Sequence, residues 1–239
     1  MTALLRYQTA ILFRSHRWIF PLIVYVLLIA VGAAGSTSLA ETLDWSGAML
    51  VPVIAFLTRG MLTAEPDAAR ACVRAAAGAV RAQLATLIVP LGAGALLGIA
   101  AMVFDVLTAE AASRAPASGL PGKVTAAVDH PAIVLAGLLI ALVCLLVGSA
   151  VGALCNPPLL RHPAAAMLST LAAIILALAA GVSPANAAIS HTTAQVANPL
   201  AAHWPGAGAL IGAVCLLAVI WTVSIVAGSR RDAWSASSG

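Results

Sequence analysis

The chain has 239 residues, 62% of them hydrophobic and 8% charged, with a mean hydropathy of +1.04 and a formal net charge of +4. A soluble domain keeps roughly a quarter of its residues charged, so lipid must act as solvent for much of this surface. The composition argues against a soluble enzyme, and the small basic excess does not read as nucleic-acid affinity, because its arginines flank apolar runs.

From the N-terminus, residues 4–17 predict an amphipathic helix. At about 100° per residue, Leu4, Leu5, Tyr7, Ile11 and Leu12 fall on one arc, with Arg6, Arg14 and Arg17 opposite. Such a helix lies along the inner leaflet with its arginines toward anionic lipid. An ordinary positive-inside flank is the plainer alternative.

A membrane-spanning helix needs about 20 apolar residues to cross roughly 30 Å of hydrocarbon. Six stretches qualify: 18–35, 43–63, 82–104, 132–154, 164–182 and 206–228. The first lacks a small-residue cleavage site and reads as a span, not a leader. The second is interrupted by Pro52 and carries Arg59 near one end, where a long side chain can reach the headgroups. With the N-terminus in the cytoplasm, the cytoplasmic segments hold Arg6, Arg14, Arg17, Arg59, Arg70, Arg74, Arg81, Arg161, Arg230 and Arg231, and the external loops only Arg114 and Lys123. This bias predicts an all-α membrane protein of six spans with both termini cytoplasmic.

Between spans two and three, residues 65–78 predict a short cytoplasmic helix. Thr63 or Glu65 can cap it, Pro66 suits its first turn, Asp67 complements its positive end, and Gly78 supplies a stop. Arg70 and Arg74 lie one turn apart. A solvated connector with no partner is the alternative. Outside the membrane, residues 105–130 read as a flexible loop rich in small residues, with Pro116, Ser118, Gly119, Pro121 and Gly122. Residues 183–204 carry Pro184, Asn186, Asn198, Pro199 and Trp204, which fit either a re-entrant helix pair or a plain loop.

Catalytic patterns are missing from the sequence. No GxxxxGK[ST], HExxH or GxSxG string occurs. His16, His130, His162, His191 and His203 map to loops or span edges, and Cys72, Cys144, Cys155 and Cys215 form no CxxC pair, so no metal site and no catalytic residue is expected. No Asp, Glu or Lys falls in the interior of a span, which counts against a proton- or ion-coupled carrier. The pairs Gly94/Gly98, Gly148/Gly152 and Gly208/Gly212 read as close helix packing, with a dimer contact as the lesser option.

The combination of spans, N-terminal helix and short helix after span two resembles the membrane subunit of ABC exporters of the ABC-2 (type V) kind. The strings LLRYQTAILFRSHRW at 4–18, LTAEPDAARACVRAAAG at 62–78, VGALCNPPLLRHP at 151–163 and SPANAA at 183–188 look like a family of small actinobacterial ABC transporter permeases. The resemblance implies that residues 65–78 are the coupling helix, docking into a separate ATPase subunit through Glu65, Asp67, Arg70 and Arg74. It implies an elbow role for residues 4–17, with Arg6, Arg14 and Arg17 at the lipid surface, and re-entrant helices after span five. A second permease copy or sibling would complete the pathway in a bacterial cytoplasmic membrane. ATP and Mg would be held by the ATPase, and no cofactor by this chain. A non-transporting membrane scaffold and a solo secondary transporter are the competing readings.

Overall fold

Backbone polar groups in lipid must be satisfied within their own segment, which makes helices of long apolar runs. In a computed structural model of the chain every regular element among the described residues is a helix. The structure describes residues 2–16, 18–35, 39–114, 131–154, 163–179, 183–187 and 207–237. The elements are α1 (Thr2–Arg14), α2 (Ile19–Gly35), α3 (Leu39–Leu62), α4 (Asp67–Ala77), α5 (Ala79–Arg114), α6 (Pro131–Leu154), α7 (Pro163–Ala179) and α8 (Ala207–Ser237). By length and apolarity, five runs can cross a membrane: α3, α5, α6, the run beginning in α7, and α8. A sixth is counted if α1 and α2, which meet at a bend of 73°, are taken as one broken span.

The centre of the bundle is the α3–α6 pair. Of their apolar windows 61% and 56% are buried, against 22% for α5 and 17% for α8. The two helices run parallel, since Leu43 meets Gly137, Gly47 meets Ile140, Val51 meets Gly148, and Ala55 and Thr58 meet Gly152. A Cβ on Gly152 would stand 2.5 Å from the Ala55 carbonyl oxygen, and one on Gly148 would stand 2.7 Å from that of Val51. Glycine is required there by the approach of the two backbones. Gly94 and Gly98 of α5 likewise meet Ile54 and Leu50 of α3, so these two pairs pack within the bundle as expected. Gly208 differs, with nothing within 4 Å.

Contacts along the other helices fix their directions. Leu87 and Leu62 share a cluster, Gly98 meets Leu50 and Asp105 meets Ser46, so α5 is antiparallel to α3. Tyr25 and Trp45 make α2 antiparallel to α3, through Tyr25 Oη to the Ser46 carbonyl and Trp45 Nε1 to the Leu28 carbonyl. On α8, Ala209 and Ala213 cluster with Ile140 while Trp221 clusters with Ala153, which makes α8 parallel to α6. On α7, Thr170 meets Arg59 near the end of α3, and Ile174 joins the cluster of Val51 and Ile140 farther along. Thus α2, α5 and α7 run one way and α3, α6 and α8 the other. The start of α2, all of α4 and the later part of α8 share one end of the bundle.

Several boundaries depart from expectation. Helix α3 starts at Leu39 and continues through Pro52, because packing on two neighbours holds the turn that loses an N–H there. Helix α5 continues past Phe104 to Arg114, so residues 105–114 are helical where a flexible loop is expected. The helical run carries α5's apolar window on to Thr108, and Asp105 therefore lies inside a candidate span. The expected span ending at Phe104 leaves Asp105 just outside; Glu41 and Asp44 likewise fall near one end of the candidate span Glu41–Leu62. After α7, residues 183–187 form one turn whose Asn186 Nδ2 donates to the Leu178 carbonyl at 2.7 Å, with Ala185 buried. The remainder of 183–204 lies outside the described residues, as do Arg17, residues 115–130 with Lys123, Cys155, Arg161, His130, His162, His191 and His203.

Candidate functional site

Helix α4 is built from a short, well-punctuated segment. Pro66 occupies its N-cap position with φ −60° and ψ 146° and no side-chain cap. The expected caps are engaged elsewhere: the Thr63 hydroxyl donates back to the Arg59 carbonyl at 3.0 Å, and Glu65 is buried. At the other end Gly78 adopts φ 84°, which glycine enters without a Cβ penalty, and its N–H bonds the Arg74 carbonyl at 2.9 Å. The next residue opens α5, so α4 is clamped between two long helices with almost no slack.

Arg70 does the clamping. Its Nη2 donates to the Leu62 carbonyl at 2.7 Å and to the Glu65 carbonyl at 3.2 Å. The Leu62 carbonyl ends α3 and has no helical partner ahead of it. A guanidinium placed there satisfies it and stands favourably at the negative helix end. Arg74 is half-buried and lines a small cleft with Met61, Glu65, Arg70, Val73 and Gln83. Glu65 is 8% exposed, with Oε1 unpartnered, and its carboxylate stands near the Tyr7 hydroxyl of α1. Burial, and after it the neighbouring Glu65 carboxylate, hold the Tyr7 phenol above the ordinary tyrosine range. The side chain of Asp67 lies outside what the structure describes.

Of the residues expected to face a partner, Glu65 therefore lies inside, while Arg70 and Arg74 are half-buried against α3 and α5. What α4 exposes is Ala68, Ala71, Cys72, Ala75 and Ala76. Their spacing of three and four residues puts them on one stripe along the whole helix. The outward face is a smooth ridge of small side chains, flanked by the exposed Arg81 at the start of α5.

Helix α1 lies against the same end. Leu12 and Gln8 are buried, Leu12 within the cluster of Leu57, Met61 and Val89, with Leu5 packed beside it. The stripe that meets the protein is thus Leu5, Gln8 and Leu12, and Tyr7 stands at its edge near Glu65. Arg6 and Arg14 are exposed. The turn into α2 has His16 at φ 53°, and the Phe13 and Trp18 rings meet edge-on at 5.8 Å across it.

A second polar cluster lies toward the opposite end, and sequence reasoning missed it. Asp105 is 1% exposed, and its Oδ2 lies 2.6 Å from the Ser46 hydroxyl. Ser46 Oγ is also 2.9 Å from the Thr42 carbonyl, while the buried Tyr25 hydroxyl donates to the Ser46 carbonyl at 3.2 Å. The available signal was the apolar run on both sides of Asp105, at Met102–Phe104 and at Val106 and Leu107. Among the described residues no group of His, Cys, Asp and Glu could hold a metal ion.

No protein-family model, no curated protein and no solved structure matches this chain. The functional reading therefore rests on the residues and their geometry.

Proposed function

We propose that the chain is the membrane-spanning permease subunit of an ATP-driven ABC exporter of the ABC-2 kind. The carrying observation is α4: a rigidly clamped helix at one end of an apolar bundle, presenting a ridge of Ala68, Ala71, Cys72, Ala75 and Ala76. Small side chains let another surface approach a helix backbone closely. Such a ridge fits a groove in a partner subunit, as a coupling helix must. In this reading α1 is the elbow helix, with Arg6 and Arg14 toward anionic lipid.

The direction alternation of α2, α5 and α7 against α3, α6 and α8 supports six spans with both termini on one side, and the arginine bias favours the cytoplasmic side. The membrane in this reading is a bacterial plasma membrane. ATP closes two ATPase subunits, the closure displaces α4, and the short Gly78 junction passes the displacement to α5 while Arg70 passes it to α3. Nucleotide-binding energy is thereby used to shift the bundle between two packings. ATP and Mg belong to the ATPase, and a second permease copy or sibling completes the pathway.

The test uses Cys72, which is exposed on the ridge. In native membranes its alkylation by a maleimide should be slow and should become fast once the peripheral ATPase is stripped. Equal rates before and after stripping would contradict docking at α4. A solo proton-coupled transporter is the second reading, favoured by one observation, the carboxylate of Asp105 buried within a candidate span.

A further inference from the structure

Asp105 occupies a position where membrane helices rarely carry a carboxylate, and such groups face the protein interior and mark ion or proton sites. It lies within the apolar window Ala79–Thr108 of α5. At 1.5 Å per residue it is roughly 36 Å along α5 from Arg81, and Ser46 is about 10 Å along α3 from Leu39. The pair therefore sits one to two turns inside the end of the bundle where α2 and α3 are joined, close to the far edge of a hydrocarbon core about 30 Å thick.

Among the described residues the surroundings provide hydrogen bonds and no counter-ion. Helix α2 contributes Tyr25, whose phenol lies within electrostatic reach of Asp105. Helix α3 contributes Ser46 and, within a turn and a half of it, the acidic Asp44 and Glu41, each with interactions of its own. From α6 the buried Cys144 lies within electrostatic reach of Tyr25. Leu39, Leu43, Met102, Val106 and Ile133 form an apolar cluster between the same helices, with no polar partner to offer. No described Lys or Arg pairs with Asp105, and its Oδ1 has no partner.

The Ser46 hydroxyl has one proton and three acceptors in reach, Asp105 Oδ2 at 2.6 Å, the Thr42 carbonyl at 2.9 Å and the Leu43 carbonyl at 3.3 Å. When Asp105 is ionised, that proton points to Oδ2. When Oδ2 carries a proton, the carboxyl donates to Ser46 Oγ and the serine proton turns to Thr42. One O–H rotation serves both states without moving a heavy atom. A carboxylate meant to stay ionised is normally held by a cation or several N–H donors, and neither is found beside Asp105 among the described residues.

We infer that Asp105, Ser46 and Tyr25 form a proton-binding site in the bundle, filled and emptied from the end where α2 joins α3. The step is the reversible addition of H+ to the Asp105 carboxylate, giving the neutral acid. Because α2, α3 and α5 meet at this contact, the proton governs how closely they pack there. This inference stands apart from the ATPase-docking reading and survives its failure.

The experiment is infrared difference spectroscopy of the full chain in lipid nanodiscs as pH is lowered. The expected result is a carboxylic-acid carbonyl band that grows reversibly, is missing in Asp105→Asn, and titrates unchanged when choline replaces Na+. Ser46→Ala should move its midpoint by roughly half a pH unit or more, the equivalent of one hydrogen bond. Should Asp105→Asn fail to fold, Asp105→Glu must keep the band and shift its frequency. A band assigned to Asp105 that is constant, or missing, wherever the chain stays folded would overturn the inference. A midpoint that follows Na+ would overturn it in favour of a metal-cation site.

Discussion

Arg70 ties α4 to the end of α3 and to the connector between them with one side chain, so its removal should be felt in stability. Arg70→Ala leaves the Leu62 carbonyl at the end of α3 without its donor, a loss of about 1–3 kcal/mol for a half-buried group. Thermal unfolding in mild detergent should register a lower Tm, and Arg70→Lys should recover part of it, since an ammonium can reach one carbonyl but lacks the planar fork. An unchanged Tm in Arg70→Ala would mean that the clamp carries no weight. Charge reversal at this residue is for the same reason a poor test of docking, because it damages the bundle first. Tyr7 supplies a pH signature. Its phenol is raised in the folded chain, so the stability it contributes is present below the ordinary tyrosine value of about 10 and is lost as pH rises through the raised one. With Tyr7 39% exposed the effect is small. Wild-type Tm should fall more steeply at strongly alkaline pH than that of Tyr7→Phe, and parallel curves would dismiss the Tyr7–Glu65 contact.

Among elements, the α3–α6 pair sets the core, and glycine sets its spacing. Gly152→Val must push apart the Ala55 carbonyl and Thr58, whereas Gly208→Val meets open space. The first should cost about 1–3 kcal/mol as overpacking and the second almost nothing, both read as Tm. Equal effects would refute the packing role. The runs that became α2, α3, α5, α6, α7 and α8 were legible as apolar stretches, because hydropathy is what lipid selects. Helix α4 was legible from Pro66 and Gly78. The face it turns outward was not, since polar residues on a short helix read as solvent-facing until α3's unsatisfied carbonyls are seen to capture Arg70. Likewise Gln8 replaced Tyr7 on the buried stripe of α1, because that stripe is set by its contact with the bundle and not by polarity. Asp105 escaped notice because a span drawn to the first charged residue stops one position short of it.

Across the whole molecule, the two polar features lie at opposite ends of the same helices. The α4 ridge sits where α3 ends and α5 begins, and the Asp105–Ser46 contact sits where α3 is still in its second turn and α5 nears its end. Helices α3 and α5 are therefore the elements through which a displacement at one end would reach the other. The claim that α4 receives an ATPase is the centre of this account. Its most direct test is mild-detergent purification of the tagged chain from its native membranes beside an Ala71→Arg/Ala75→Arg variant, whose new side chains project from the exposed ridge and leave the clamp intact. A P-loop ATPase should accompany the wild type in near-equimolar amount and be lost from the variant at unchanged Tm. A wild-type preparation with no nucleotide-binding partner, or a variant that keeps it, would contradict the account.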